Sequence, residues 1–157
     1  MNRQDFIKCV ESSQESLRRF LTSLCNGNVA LAEDIAQEAY IKAFLSIDSL
    51  AANDSFRPWV MKIAYNSYLN YIRKNYPEVG VEDIKENESD MHADDSFRYE
   101  NLYQALSALP LRQRSALTLF YLEGYSTHEI SVILEISEEN VRQTLSRGRN
   151  KLKNLIY

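Results

Sequence analysis

Ser126-Thr-His-Glu-Ile-Ser-Val-Ile-Leu-Glu-Ile-Ser-Glu-Glu-Asn-Val-Arg-Gln-Thr-Leu-Ser-Arg-Gly-Arg-Asn-Lys-Leu-Lys153 reads as two short helices around a tight turn, an arrangement that can set one helix into a DNA groove. Ser126 and Glu129 fit a capping box, in which each side chain satisfies a backbone N–H of the first turn. Ile130, Ile133 and Leu134 then line one face of a helix about eight residues long. Ser137 is a second N-cap. Behind it Val141, Leu145, Gly148 and Leu152 recur at helical spacing, leaving Asn140, Arg142, Gln143, Ser146, Arg147 and Arg149 off the apolar stripe. Arg and Gln suit the edges of guanine and adenine, and further cations neutralise phosphates. Residues 138 to 157 carry five Lys or Arg against two Glu, and Glu138 and Glu139 fall in the first turn, where the helix dipole favours acids. The same pattern also fits a helical hairpin whose cations only face solvent, so at this point both readings stand.

The chain has 157 residues, 45% of them hydrophobic, with four Gly and three Pro. That composition points to a mainly helical, folded protein of one or two domains, with little support for strands. It has no run of eighteen apolar residues and no apolar core behind Met1-Asn-Arg-Gln-Asp-Phe6, so membrane insertion and secretion are not expected and a cytoplasmic location is. Cys9 and Cys25 are too few and too isolated for a zinc site or a disulfide framework and read as reduced, structural thiols. A Gly-rich phosphate loop, a His-Glu-x-x-His helix and a calcium-loop periodicity are all missing. No catalytic residue, metal or cofactor is therefore expected.

The net charge of −4 argues against a nucleic-acid partner only until the charges are located. Residues 78 to 100 hold nine acids and two bases, −7 in all, leaving +3 over the rest of the chain. The stretch from Phe56 to Pro77 has Arg57, Lys62, Arg73 and Lys74 with no acid. Two basic regions flank an acidic one.

Working outward, apolar spacing predicts helices over 3–24, about 30–47 and 55–75, the last with Pro58 in its first turn, where a missing N–H costs nothing. In the second helix Ala32, Ile35, Ala36, Ala39, Ala43 and Phe44 form the expected inner stripe. Residues 77–99 have the composition of a solvated linker. Two further helices, about 99–108 and 111–123, break at Pro110 and end at Gly124, with Leu102, Ala105, Leu106, Leu109, Leu117, Phe120 and Tyr121 as core. The expected fold is all-α: two small helical domains, 1–76 and 100–157, joined by an acidic linker, 77–99. Each is near the size at which one core is only marginally stabilising.

Within Phe56–Lys74, steps of three and four align Trp59, Lys62, Asn66, Asn70 and Arg73 on one side of the helix. Cations beside aromatics and amides suit single-stranded nucleic acid, although packing alone also accounts for Trp59 and the tyrosines. Val60, Ile63, Ala64, Ser67 and Tyr71 face the other way. Together with Asp34-Ile-Ala-Gln-Glu-Ala-Tyr-Ile-Lys-Ala-Phe44 and with Ala108-Leu-Pro110 ahead of the helix pair, these segments resemble a bacterial RNA polymerase sigma factor of the two-domain extracytoplasmic-function (ECF) group. The resemblance runs over nearly the whole chain.

It implies a transcription initiation factor, without enzymatic activity, that binds core RNA polymerase and directs it to promoter DNA. Core polymerase contact falls to Asp34, Gln37, Glu38 and Lys42. Melted DNA of the −10 element falls to Trp59, Lys62, Asn66, Asn70, Arg73 and Lys74, and duplex DNA of the −35 element to Arg142, Gln143, Ser146, Arg147 and Arg149. Relatives are often held by an anti-sigma factor, although no residue here identifies one. A linker of 23 residues reaches at most about 75 Å at roughly 3.3 Å per residue, enough for two separate DNA elements. Three positions depart from the family pattern. Asn70 stands where many relatives have Asp. Glu135 replaces a usual Gly in the turn, which frees that turn from needing a positive φ, and Gly148 replaces a more usual Ala, at a helix-propensity cost of about 1 kcal/mol unless it serves close packing. The alternative is a helix-turn-helix regulator that binds an operator independently of polymerase; a helical protein-binding adaptor is a third reading.

Overall fold

The computed structural model describes residues 1–51, 55–78 and 97–156, and among these every regular element is helical. The order is α1 (Arg3–Leu24), α2 (Val29–Leu45), a 3-10 turn at Ile47–Ser49, α3 (Phe56–Asn75), α4 (Phe97–Ser107), α5 (Leu111–Leu117) running into a π-helical turn at Thr118–Leu122, α6 (Thr127–Leu134) and α7 (Glu138–Ile156). Residues 79–96, most of the expected linker, lie outside the described residues.

Local chemistry accounts for the boundaries. Asn2 Oδ1 accepts the Asp5 N–H at 2.8 Å and starts α1. Asn26 and Gly27, at φ 55° and 86°, reverse the chain after α1, and Gly27 N–H closes onto the Thr22 carbonyl at 2.9 Å. Asn28 then caps α2 by accepting from Leu31 N–H. Both halves of the Ser126–Glu129 capping box form, at 3.1 and 2.9 Å, and Ser137 Oγ accepts from Asn140 N–H at 3.1 Å, so the second N-cap of the pair is also present. The predicted single helix over 111–123 instead widens at Thr118. There the Thr118 hydroxyl donates back to the Arg114 carbonyl at 2.7 Å, a bond that competes with regular helix geometry.

The N-terminal lobe packs α1, α2 and α3 around Leu17, Phe20, Leu21, Leu24, the alanine face of α2, and Val60, Met61 and Ala64. The alanines allow α2 a close approach. The C-terminal lobe packs α4 to α7 around Leu106, Leu109, Leu117, Ile130, Ile133, Val141 and Leu145. Three apolar expectations are corrected. Phe44 is largely exposed and meets Phe6 edge-on at 5.3 Å, and Tyr121 is exposed. Helix α3 buries Met61, Tyr65, Tyr68, Leu69 and Ile72 as well as Val60, Ala64 and Ser67, whereas Ile63 and Tyr71 are only half-buried. A single amphipathic stripe misdescribes α3 because it is packed by α1, α2 and α6 together.

The two lobes are docked on each other, α1 against α5 and α3 against α6. Arg114 is fully buried at this junction. Its guanidinium donates to the Leu109 carbonyl at 3.0 Å within its own lobe and to the Leu24 carbonyl at 3.2 Å across the joint. Ser23 and Thr118 hydroxyls pair at 2.9 Å. Arg19 forks onto the Glu123 carboxylate at 3.1 and 2.9 Å, and Ser16 donates to the same group at 2.7 Å.

Candidate nucleic-acid interface

Helix α7 buries Val141, Leu145 and Gly148 and turns Arg142, Gln143, Ser146 and Arg147 to solvent. The helix can lie this close to α5 because position 148 has no side chain: a Cβ there would stand 3.0 Å from Leu117 Cδ1 and 3.3 Å from Gln113 Cβ. Glu139 steadies the exposed face, accepting from Arg142 Nη2 and from Gln143 Nε2, both at 3.4 Å. Glu138 lies 3.6 Å from Arg142 and 3.0 Å from His128 Nδ1 on α6. Arg149 sits at the margin of this face. It donates to the Tyr121 hydroxyl at 3.2 Å and lines an apolar groove of about 440 Å³ with Leu102, Leu106, Leu122 and Leu152.

The turn ahead of α7 departs from its sequence-based reading. Glu135 sits at φ 57° and ψ 47°, in the left-handed region. Its side chain in that position does not relieve the turn of a positive φ, because the chain must still reverse after α6 in few residues; Glu135 N–H closes onto the Ser131 carbonyl in the way a glycine usually does.

On α3, Lys62, Asn66, Asn70 and Arg73 share one flank, continued by exposed Lys74 and headed by half-buried Trp59, whose ring lies 5.7 Å from that of Phe56. Arg73 Nη1 donates to Asn70 Oδ1 at 3.2 Å. That bond uses one lone pair of the Asn70 carbonyl, and the Asn70 NH2 adds two donors to the flank. Glu135 crosses from the other lobe: Asn66 Nδ2 donates to Glu135 Oε1 at 3.1 Å, and Lys62 Nζ lies 3.9 Å from the same oxygen. The candidate flank is thus assembled but capped near its middle.

On α2, Asp34, Gln37 and Glu38 are exposed, and Lys42 is half-buried between Glu38 at 3.1 Å and the Ser67 hydroxyl at 3.4 Å.

A family model of sigma-70 region 2 matches residues 9–77, and one of sigma-70 region 4 matches residues 99–152. The ECF RNA polymerase sigma factor SigM of Bacillus subtilis is 35% identical over 142 residues, covering 87% of this chain and 86% of that protein. The chain belongs to the ECF RNA polymerase sigma factors. As a sigma factor it directs RNA polymerase to promoters. The B. subtilis ECF sigma factor SigW is likewise 35% identical, over 143 residues, 81% of this chain and 76% of that one. The fold matches the Bartonella quintana sigma factor RpoE, solved with the anti-sigma factor NepR, at a TM-score of 0.79 and 24% identity over 98% of this chain and 97% of that one. It matches CnrH, solved with the cytosolic domain of CnrY, at a TM-score of 0.76 and 20% identity over 99% and 89%.

Three features of this sigma factor escaped the sequence reading. Ile41 and Leu45 are exposed beside Glu38 and Lys42 on α2; apolar residues on its polar face were the available signal. Arg114 is buried, which no local pattern announces. Glu135 meets Lys62 and Asn66 across 69 residues or more of chain.

Proposed function

We propose that this sigma factor divides promoter recognition between two helix faces. Arg142, Gln143, Ser146 and Arg147 of α7, with Arg149 at the margin, take duplex DNA of the −35 element. Trp59, Lys62, Asn66, Asn70, Arg73 and Lys74 of α3 take the unpaired strand of the −10 element. The observation that carries this reading is the presence of two separate faces, each pairing cations with amide side chains, on the segments that match regions 4 and 2. Cations supply affinity through phosphates, and amides and guanidinium forks discriminate bases. Asp34, Gln37, Glu38 and Lys42, together with exposed Ile41 and Leu45, form the contact with core polymerase, a polar rim around an apolar centre.

The chain then works as a 1–76 domain, a 77–99 acidic linker and a 100–157 domain. Its acidic linker, with eight acids against two bases, repels DNA and serves as a tether rather than a duplex contact. Polymerase supplies the chemistry, so the factor is not an enzyme, and it acts in the cytoplasm. Among the described residues no helix is long and apolar enough to cross a membrane. An anti-sigma factor is a further proposed partner, by analogy with the fold neighbour RpoE, solved with the anti-sigma factor NepR.

Reconstitution with core polymerase on a promoter library tests the assignment. Specific transcripts are expected, with isolated-chain DNA binding weak at physiological salt. Tight operator-like duplex binding by the chain alone, with no core binding, would return the independent regulator to first place.

A further inference from the structure

Glu135 joins two otherwise separate observations. It is a non-glycine residue held in the left-handed region, and its carboxylate reaches the opposite lobe to meet an amide NH2 and an ammonium. Those two groups, on Asn66 and Lys62, belong to the proposed single-strand flank. An anionic oxygen offered to them is what a phosphodiester would also offer.

The docking that brings Glu135 there is a built joint. Arg114 bridges the lobes while fully buried, Ser23 pairs with Thr118, and Glu123, its side chain 1% exposed, receives Arg19 and Ser16. Buried polar groups that find partners in the opposite lobe specify one arrangement. This arrangement is incompatible with using both DNA faces at once. Packed helix axes lie about 8–10 Å apart, so α3 and α7, with α6 between them, stand within about 20 Å. Two turns of duplex span roughly 70 Å. The two faces also differ in what meets them: Arg142 and Gln143 are engaged only by Glu138 and Glu139 of their own helix, whereas Lys62 and Asn66 meet Glu135 of the opposite lobe.

We infer that the free chain closes on itself, with Glu135 acting as an internal anion that occupies the Lys62–Asn66 portion of the single-strand site until the lobes part. This rests on the reading of α3 given above. The opposite lobe thus withholds that portion of the unpaired-strand site in the free factor and leaves the duplex face uncovered.

The test uses the full chain, a fluorescent mixed-sequence single-stranded 12-mer and anisotropy at low salt. Glu135→Gln keeps the side-chain size and removes the charge; binding is expected to tighten about two- to fivefold, the range for an exposed charge contact. Arg19→Glu sets a like charge against buried Glu123 and opens the joint from an exposed position. It is expected to tighten binding on the order of tenfold and to raise the radius of gyration in solution scattering. If both variants bind as wild type while Lys62→Ala still weakens binding, the latch is wrong and the α3 reading survives. If Lys62→Ala and Asn66→Ala change nothing in either background, the α3 reading fails and the latch falls with it.

Discussion

Two residues in the helix-turn-helix show local preference and packing pulling in opposite directions. At Gly148, alanine would gain about 1 kcal/mol of helix propensity. Its Cβ would press on Leu117 at 3.0 Å and Gln113 at 3.3 Å, and overpacking a tight helix contact costs about 1–3 kcal/mol. Packing wins. Gly148→Ala should lower the urea midpoint by the equivalent of up to about 2 kcal/mol with an unchanged slope. At Glu135 the backbone is the issue, because a side chain in the left-handed region costs about 1 kcal/mol or more. Comparing Glu135→Gly with Glu135→Ala removes the carboxylate from both, and the glycine variant should be the more stable by about 1 kcal/mol in urea unfolding. Equal stabilities would mean that the turn carries no strain.

At the scale of the element, α6 is only eight residues long, too short to hold itself together in water, so its cap and its packing carry it. Ser126→Ala removes the hydroxyl that accepts the Glu129 N–H, leaves the bond from the residue-126 backbone N–H to the Glu129 carboxylate in place, and should cost about 1 kcal/mol. Helix α7, proposed above to read the −35 element, is longer and is capped in turn by Ser137. Arg147→Ala is expected to weaken recognition of the −35 element in the holoenzyme by about 1–3 kcal/mol, measured by footprinting, with affinity for core polymerase unchanged. Lost core binding in a folded variant would place Arg147 in the wrong interface.

For the whole molecule, stability depends on the joint between lobes that are each small. Arg114 supplies donors to Leu109 in one lobe and Leu24 in the other. A lysine cannot span both carbonyls, so Arg114→Lys should destabilise the chain by about 1–3 kcal/mol, the cost of leaving a buried acceptor unpaired. Tyr125 gives the joint a pH dependence. Burial pushes its phenol up to about 12, opposed by Arg57 and by a hydrogen bond with Ser16 of the opposite lobe; its ordinary value is about 10. The folded chain keeps this proton after the unfolded chain has lost it. The stabilisation is therefore complete below about pH 10 and drains away as pH rises toward 12. Alkaline melts should show a steeper loss in wild type than in Tyr125→Phe.

How much of this was legible beforehand follows from the range of each interaction. The capping box, the Ser137 cap, the apolar seam of α7 and the boundaries of α1 and α3 depend on neighbours within a turn or two, so the sequence by itself determined the helices, their order and which faces of α3 and α7 carry cations and amides. Burial of Arg114, exposure of Phe44 and Tyr121, and the reach of Glu135 to Lys62 and Asn66 were decided only by the tertiary structure. Each depends on what helix packing within a lobe, or the docking of the two lobes, brings close, and periodicity along one helix contains no information about what lies opposite it. The left-handed turn at Glu135 belongs to both levels. The need to reverse the chain after α6 is local, while the use made of the side chain at that reversal depends on α3 lying against it.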